Sequence, residues 1–339
     1  MRYEGFKFRF SLISFVVALF FAVYGGPFAS VTAAGETKKD YKGLVIHLAT
    51  QPSQVQISLA EELGYFKDEF GGDGITFDVR TFPSGPPIIE AIAAGNIDIG
   101  QVGNLPAIQA FNNKIPIKII GAYMTDTGKS QGLLSRKGSG IEKLEDIRGR
   151  KIGAQIGSAS HFLLMQYLQT LNLTEDDIQI VNLSFGDINA ALEAGSIDGG
   201  VNQLPQMASV LENGTATLIA DASGYPLSPS TVVARTALLE KYPELIPRIL
   251  KTFDRAVQYC ITNEDDAIRI LHERNDVAES AYKASFTSNS FALFLDAKRI
   301  EALKLNEVFL RKEGTITGVD IDKLVDASFL EAAGLNTPK

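Results

Sequence analysis

The sequence predicts an α/β protein with two open, mixed-sheet lobes that are joined by two crossing strands. Three observations support this fold class. The chain has 339 residues, which is more than one hydrophobic core usually serves. Strand-like and helix-like patterns alternate along it, and one unit of sequence occurs twice. The alternation indicates strands that run parallel in each lobe, because a helix connects each strand to the next.

The N-terminal 34 residues predict a secretory signal peptide. Basic residues within the first nine positions precede an apolar run from Phe10 to Tyr24, and small residues follow it as far as Ala34. The run is shorter than the ~20 apolar residues that cross a bilayer. We therefore expect residues 1–34 to be removed and the mature chain to be exported to the periplasm. Retention of this segment as an N-terminal anchor is the alternative.

The composition narrows the classes of partner. The formal net charge is −8, so the sequence offers no excess of basic residues with which to bind nucleic acid. Cys260 is the single cysteine, which rules out an intramolecular disulfide and leaves no lipid-attachment cysteine beside the signal peptide. The absence of tryptophan disfavours a carbohydrate ligand, since sugar sites often stack on aromatic rings. We expect a monomer.

An internal repeat predicts two similar lobes. Residues 91–100 (AIAAGNIDIG) and 191–200 (ALEAGSIDGG) are identical at six of ten positions, and Leu-Pro follows both. Each copy is typical of a helix that ends at Gly95 or Gly195, a buried strand that begins at Ile97 or Ile197, and a new helix after Leu-Pro. Chance resemblance between two ordinary helix–turn–strand units is the alternative.

Periodicity predicts the remaining elements. Strands are predicted at residues 44–50, 75–82, 117–123, 151–155, 178–183 and 217–219. Helices are predicted at residues 55–70, 161–171 and 245–259, and helical periodicity continues through most of the chain after residue 243. Extended segments at residues 130–136 and 231–235 are interpreted as the crossings. The first lobe would then contain residues 40–129 and 236–339, and the second would contain residues 130–235.

Polar or glycine-rich loops follow several predicted strands, and each precedes a helix. In open α/β sheets a ligand binds beyond the carboxyl ends of the strands, where helix N-termini meet. Their free N–H groups favour an anion. Each loop taken alone could instead be an ordinary helix cap. We expect the set to form a site for a small anion, to which Lys129 and His161 could add positive charge; a packing role is the alternative for His161.

Several motifs resemble one family of transport receptors. The run at residues 82–91 (FPSGPPIIEA), its continuation through residues 94–107, and residues 144–153 leading to Gly157-Ser158 resemble the periplasmic receptors of aliphatic sulfonate, taurine and nitrate importers. The resemblance covers nearly all of the mature chain. It implies the type II periplasmic-binding-protein fold, a cleft that closes on a small molecule, and delivery to the permease of an ABC importer in the inner membrane.

The resemblance carries over to particular loops. Gly85 and Pro86 match a Gly-Pro of the family, Ser158 matches the helix-entry loop, and Asn104 stands where members often have Asp. Ala159 replaces a common Thr, which removes one hydroxyl donor. Loops and resemblance together give the following candidate ligand-binding residues: Gln51, Ser53, Phe82, Gly85, Pro86, Asn104, Lys129, Ser158, His161, Asp187 and Gln203.

The sequence predicts a binding protein with no catalytic or metal site and no cofactor. His47, His161 and His272 lie far apart along the chain, without the spacing of a metal site, and no nucleophile–base motif is present. We expect a receptor that captures a small, anionic, sulfonate-like organic solute. A receptor for a heteroaromatic nutrient such as a thiamine precursor, an enzyme, or a sensor module on the same fold are the alternatives.

Overall fold

The computed structural model describes residues 40–225 and 229–335, and the predicted signal peptide lies outside them. Two sheets organise these residues. The first sheet has the order β11-β4-β10-β3-β1-β2 and consists of β1 (Val45–Thr50), β2 (Thr76–Thr81), β3 (Ile99–Gly103), β4 (Ile117–Asp126), β10 (Pro229–Arg235) and β11 (Asn289–Phe294). The second has the order β7-β6-β8-β5-β9 and consists of β5 (Gln131–Arg136), β6 (Lys151–Ala154), β7 (Gln179–Asn182), β8 (Gly199–Gln203) and β9 (Ala216–Asp221).

Helices connect and cover the strands. The helices of the first lobe before the crossing are α1 (Gln56–Glu62), α2 (Tyr65–Phe70), α3 (Gly85–Ala93) and α4 (Asn104–Asn112). The helices of the second lobe are α5 (Ala159–Thr170), α6 (Phe185–Glu193) and α7 (Ala208–Glu212). The C-terminal helices are α8 (Thr236–Lys241), α9 (Leu245–Thr262), α10 (Glu264–Asn275), α11 (Glu279–Ser288), α12 (Ala297–Lys312), α13 (Ile321–Leu324) and α14 (Ser328–Ala332). In the part of the chain that is described, none of these helices has the length and apolar character needed to cross a membrane.

Both sheets are mixed, which confirms the predicted fold class. The expectation of parallel strands is wrong for one central strand in each sheet and for the edge strand β11, which runs antiparallel to β4. β10 runs antiparallel to β3 and β4, and β5 runs antiparallel to β8 and β9. Each of these strands enters its sheet directly from the other lobe. No helical crossover precedes it, so nothing forces it to run parallel to its neighbours.

The two crossings define the lobes. The chain leaves the first sheet after Asp126 and enters the second at Gln131, and it returns between Asp221 and Pro229. The sequence placed residues 231–235 in the second lobe, whereas β10 is hydrogen-bonded to β3 and β4 of the first sheet. The lobe boundary therefore lies before Pro229 instead of at residue 235. An extended apolar segment shows that a strand is present but does not show which sheet it joins.

The repeated sequence corresponds to equivalent units, α3–β3 in one lobe and α6–β8 in the other. In each unit a strand glycine lets the preceding helix pack closely on the sheet. A methyl group on Gly100 would lie 2.6 Å from Cγ2 of Ile88, and one on Gly200 would lie 2.6 Å from Cγ2 of Ile188. The repeat thus preserves a helix–sheet contact that only glycine allows.

Two helices end at the glycines that the sequence predicted as their ends. Gly95 and Gly195 both have positive φ, 77° and 70°, directly after α3 and α6. The following strands begin two residues later than predicted, at Ile99 and Gly199. The helix predicted at residues 55–70 is divided into α1 and α2 by Gly64, whose φ is 72°.

Strand β11 was not predicted, because it lies in the C-terminal part that has helical periodicity. Its sequence, NSFALF, carries apolar residues at spacings that fit a short strand or a helix equally well. β11 forms the edge of the first sheet beside β4. This pairing brings the C-terminal part of the chain to the end of β4, where the first crossing begins.

Candidate functional site

A cavity of about 50 Å³ lies between the lobes, at the crossings. Both sheets contribute to its wall. The residues from the first lobe are Gln51, Ser53, Gln54, Gly85, Gly103, Pro106, Met124, Asp126, Ser230 and Asn289. The crossing and the second lobe contribute Ser130, Gln131, Ser158, Ala159, Phe185, Gln203 and Leu204.

Four helices begin at this cavity, two from each lobe. The first residues of α3 and α6, Gly85 and Phe185, line it, as do Gly103 immediately before α4 and Ser158 immediately before α5. The first N–H groups of a helix have no partner within the helix, and they carry the positive end of its dipole. No lysine, arginine or histidine is among the lining residues in the part of the chain described here. An anion in this cavity would therefore be held by backbone N–H groups and neutral side chains.

The loop after β1 is fixed by hydrogen bonds within the first lobe. The hydroxyl of Thr50 donates to the carbonyl oxygen of Gln54 at 2.6 Å, and Nε2 of Gln51 donates to the carbonyl oxygen of Gln101 at 3.3 Å. The buried hydroxyl of Tyr123 donates to Gln54. Burial raises the pKa of Tyr123 well above its ordinary value, so the phenol stays a neutral donor. These bonds hold two glutamine side chains in the cavity wall.

The loop before α5 forms the corresponding part of the second lobe. Gly157 has φ of 78°, a conformation that favours glycine, and turns the chain into the helix. Oγ of Ser158 accepts the backbone N–H of His161 at 3.2 Å and so caps the helix. Because the oxygen acts as an acceptor in this bond, the hydroxyl hydrogen can donate into the cavity.

The two lobes touch at the cavity wall and again between α5 and α12. Nε2 of Gln203 in the second lobe donates to Oγ of Ser53 in the first at 3.1 Å. The rings of Phe162 in α5 and Phe309 in α12 meet edge to face, with their centroids 4.3 Å apart. These contacts join residues that are far apart in sequence and belong to different lobes, so the structure has the lobes closed on each other.

A second feature of the wall is a buried carboxylate at the first crossing. Oδ1 of Asp126 accepts the backbone N–H groups of Gly128 and Ser130 at 2.8 and 3.0 Å. Oδ2 accepts from Nε2 of Gln131 at 3.3 Å. Asn289 lies beside Asp126 as its partner in the β4–β11 register. The cavity therefore combines donors at four helix N-termini with acceptors at the end of β4.

The structure brings together five of the predicted site residues in the cavity wall: Gln51, Ser53, Gly85, Ser158 and Gln203. Pro86 is the second residue of α3 and sits next to the lining Gly85. Asn104 is fully buried as the first residue of α4, and neither Oδ1 nor Nδ2 of its amide has a hydrogen-bond partner. Phe82 packs against the core of the first lobe.

The cavity wall does not include the three charged or titratable candidates, Lys129, Asp187 and His161. Lys129 is exposed at the first crossing and does not line the cavity. Asp187 is also exposed, and it belongs to the cap of α6: its backbone N–H donates to Oγ of Ser184 at 3.2 Å, and that hydroxyl donates to the Asp187 carboxylate at 2.6 Å. Asp187 thus belongs to the capped start of α6, where its carboxylate holds the hydroxyl of the N-cap Ser184 and a negative charge is favourable.

His161 lines a separate cavity of about 40 Å³ where α5 faces α4 and α12. Its Nδ1 faces the backbone N–H of Gly157 at 3.4 Å. Burial lowers the pKa of His161, and the charge of Glu175 opposes this only partly. At neutral pH the imidazole is therefore uncharged and accepts a hydrogen bond, so it adds no positive charge of the kind the sequence suggested.

Sequence reasoning missed several polar residues of the wall, notably Gln54, Ser130, Gln131, Ser230 and Asn289. One signal was present: Asp126 and Gly128, a few residues after the strand predicted at residues 117–123, are typical of a turn in which a side chain accepts backbone N–H groups. Asn289 had no such signal, because its segment has helical periodicity. Among the described residues no group of three or more His, Cys, Asp or Glu side chains is placed to hold a metal ion.

Residues 51–267 match the family model described as NMT1/THI5 like. The chain belongs to the NMT1/THI5-like family. The matched segment begins in the loop after β1 and ends in α10, so it includes the loops at which all four helix N-termini meet the cavity.

Proteins similar to this chain include named binding proteins. A Bacillus subtilis protein whose name assigns it to aliphatic sulfonate binding is 28% identical over 301 residues, covering 87% of this chain and 90% of that protein. The taurine-binding periplasmic protein of Escherichia coli is 29% identical over 222 residues, covering 65% of this chain and 68% of that protein.

Solved structures show the same fold. The alkanesulfonate-binding protein SsuA of Xanthomonas axonopodis pv. citri, bound to MOPS, has a TM-score of 0.77 with 21% identity, covering 84% of this chain and 99% of that one. The desulfurization enzyme DSZB has a TM-score of 0.67 with 17% identity, covering 86% of this chain and 98% of that one. The two-lobed fold is thus shared by binding proteins and by an enzyme, and function must be argued from the site.

Proposed function

We propose that this chain is the solute-binding component of an ABC importer, and that it captures a small organic anion of the sulfonate class between its lobes. The observation that carries the proposal is the convergence of four helix N-termini on one cavity, two from each lobe, whose described lining residues include no basic side chain. Helix N-termini bind anions through N–H groups and dipoles.

Closure of the lobes is the proposed mechanism of capture. Each lobe contributes two helix N-termini, so a ligand makes its full set of contacts only when the lobes are together. The Gln203–Ser53 hydrogen bond and the Phe162–Phe309 contact stabilise this closed arrangement. The crossing at residues 127–130 is a place where the chain can bend.

We propose that the ligand leaves unchanged. The wall contains serine hydroxyls, but among the described residues it contains no cysteine, lysine or histidine that could act as nucleophile or base. Asp126 is the carboxylate among the described lining residues, and both oxygens of this side chain accept hydrogen bonds from residues 128–131. Cys260 is buried in α9, in the core of the first lobe.

The names of two relatives support a role in periplasmic transport. One is named for binding aliphatic sulfonates, and the other is a taurine-binding periplasmic protein. We propose that this chain likewise works in the periplasm, and that the closed, loaded form docks on an importer permease in the inner membrane.

A thermal-shift screen tests the proposal. The chain is expressed at full length, purified after export, and melted with alkanesulfonates, taurine, nitrate, aromatic acids and pyrimidines in turn. A ligand that binds only the folded state adds about RT ln(1 + [L]/Kd) to the free energy of unfolding and so raises Tm. The sulfonates should therefore raise Tm, and the neutral pyrimidines should not. A shift with a neutral heteroaromatic compound alone would keep the receptor and overturn its ligand class.

A further inference from the structure

One part of the cavity wall offers hydrogen-bond acceptors, in contrast to the helix N-termini. Asp126 at the end of β4 and Asn289 at the start of β11 are partners in the antiparallel register, and both line the cavity. They are 7% and 9% exposed. Burial of polar groups at this level is costly unless a partner satisfies them.

The hydrogen-bond partners of the Asp126 carboxylate are all uncharged groups. The three hydrogen bonds that it accepts come from two backbone N–H groups and from the amide of Gln131. The bond to Oδ2 is long, at 3.3 Å, and a carboxylate oxygen can accept further bonds. A ligand carrying only negative charge would meet this carboxylate as a like charge in a partly desolvated site, which is unfavourable.

Asn289 adds a second acceptor with a fixed direction. Its Nδ2 donates to the carbonyl oxygen of Ser285 near the end of α11 at 2.8 Å. Exchanging the two ends of the amide would place oxygen against oxygen, so the bond to Ser285 fixes the orientation. Oδ1 is then turned away from Ser285 and is buried without a hydrogen-bond partner.

We propose that the ligand carries an ammonium group as well as its anionic group, so that the substrate class is an aminoalkanesulfonate. The inference rests on the proposed function, because it assigns the anionic end to the helix N-termini. The ammonium group has three N–H donors and no acceptor, which matches the Asp126 carboxylate and Oδ1 of Asn289. Asp126 is thereby a specificity-determining residue.

Calorimetric titration with a matched pair of ligands tests the inference. Taurine (2-aminoethanesulfonate) and ethanesulfonate share the sulfonate and the two-carbon chain, and they differ in the ammonium group. Hydrogen bonds to charged groups contribute about 1.5–3 kcal/mol, so the wild-type chain should bind taurine about 10- to 150-fold more tightly. This comparison needs no variant.

The variant Asp126→Asn tests the residue itself. An asparagine oxygen can still accept the N–H groups of Gly128 and Ser130, so the crossing keeps its turn while the charge is removed. Asp126→Asn should lose at least about tenfold in taurine affinity and should bind ethanesulfonate at least as tightly as wild type. The control is Asp146→Asn, since Asp146 also accepts two backbone N–H groups, at 3.0 and 3.1 Å, but does not line the cavity.

The outcomes separate the two proposals. Equal affinity of wild type for both sulfonates, or an unchanged preference in Asp126→Asn, overturns the inference and leaves the proposed function standing. Tighter binding of ethanesulfonate than of taurine does the same. Failure of every organic anion to bind overturns the proposed function, and the inference falls with it.

Discussion

Ser158 combines two roles that substitutions can separate: it caps α5 and it lines the ligand cavity. Replacing an N-cap serine with alanine costs about 0.5–2 kcal/mol of stability, whereas replacing it with glycine costs only a few tenths of a kcal/mol. Both changes remove the hydroxyl from the cavity. A lost hydrogen bond to a charged ligand costs about 1.5–3 kcal/mol, which corresponds to about a 10- to 150-fold rise in Kd.

We therefore expect Ser158→Gly to melt close to wild type and to bind taurine at least about tenfold more weakly. Ser158→Ala should lose similar affinity and also lose stability. The two quantities are measured by calorimetric titration and by thermal melting. Asp320→Ala is the control: Asp320 caps α13 by accepting the backbone N–H of Asp322 at 3.2 Å, and neither it nor α13 lines the cavity, so stability should fall while affinity holds. Wild-type affinity in Ser158→Gly would refute the placement of Ser158 against the ligand.

Three further predictions concern closure, pH and the thiol. Phe309→Ala removes the ring contact between the lobes, worth about 0.5–1.5 kcal/mol, so titration should show taurine affinity lowered about 2- to 10-fold. The control is Val308→Ala on the same helix, which should leave the affinity unchanged because Val308 is half exposed. Equal effects of the two variants would contradict the role of Phe309 in closure. Burial lowers the pKa of His161 below the ordinary 6.5, so the stability that is present above that pH is lost as the pH falls. Between about pH 7.5 and 5, the Tm of wild type should fall further than the Tm of His161→Gln. Equal decreases in Tm would contradict this. Burial raises the pKa of the Cys260 thiol, so dithiobis-nitrobenzoate should label the unfolded chain only, and rapid labelling of the native chain would show the core of α9 to be accessible.

The fold could be predicted largely from local patterns. The repeat around Gly100 and Gly200 predicted two equivalent units, because the same helix–sheet contact requires the same glycine in both. The sheet assignment of residues 231–235 could not be predicted in this way. Strand pairing across the crossings depends on contacts between residues more than 100 positions apart, such as Thr231 with Val102, which periodicity does not encode.

The sequence predicted those site residues whose place depends on the backbone, at the starts of helices. Ser158 and Gly85 stand at helix starts, and a helix start after a strand lies at the ligand-binding edge of an open sheet. Side chains chosen for their charge, Lys129 and Asp187, lie outside the cavity, since sequence does not show where a side chain on a turn points. Asn289 reaches the cavity only through the pairing of β11 with β4.

The most direct test of the receptor account is a calorimetric titration of the exported wild-type chain with taurine, with the ligand recovered afterwards and examined by mass spectrometry. The account predicts one saturable site per chain and recovery of unchanged taurine. Absence of binding by taurine and by every organic anion of the screen, or recovery of a converted product, would contradict it.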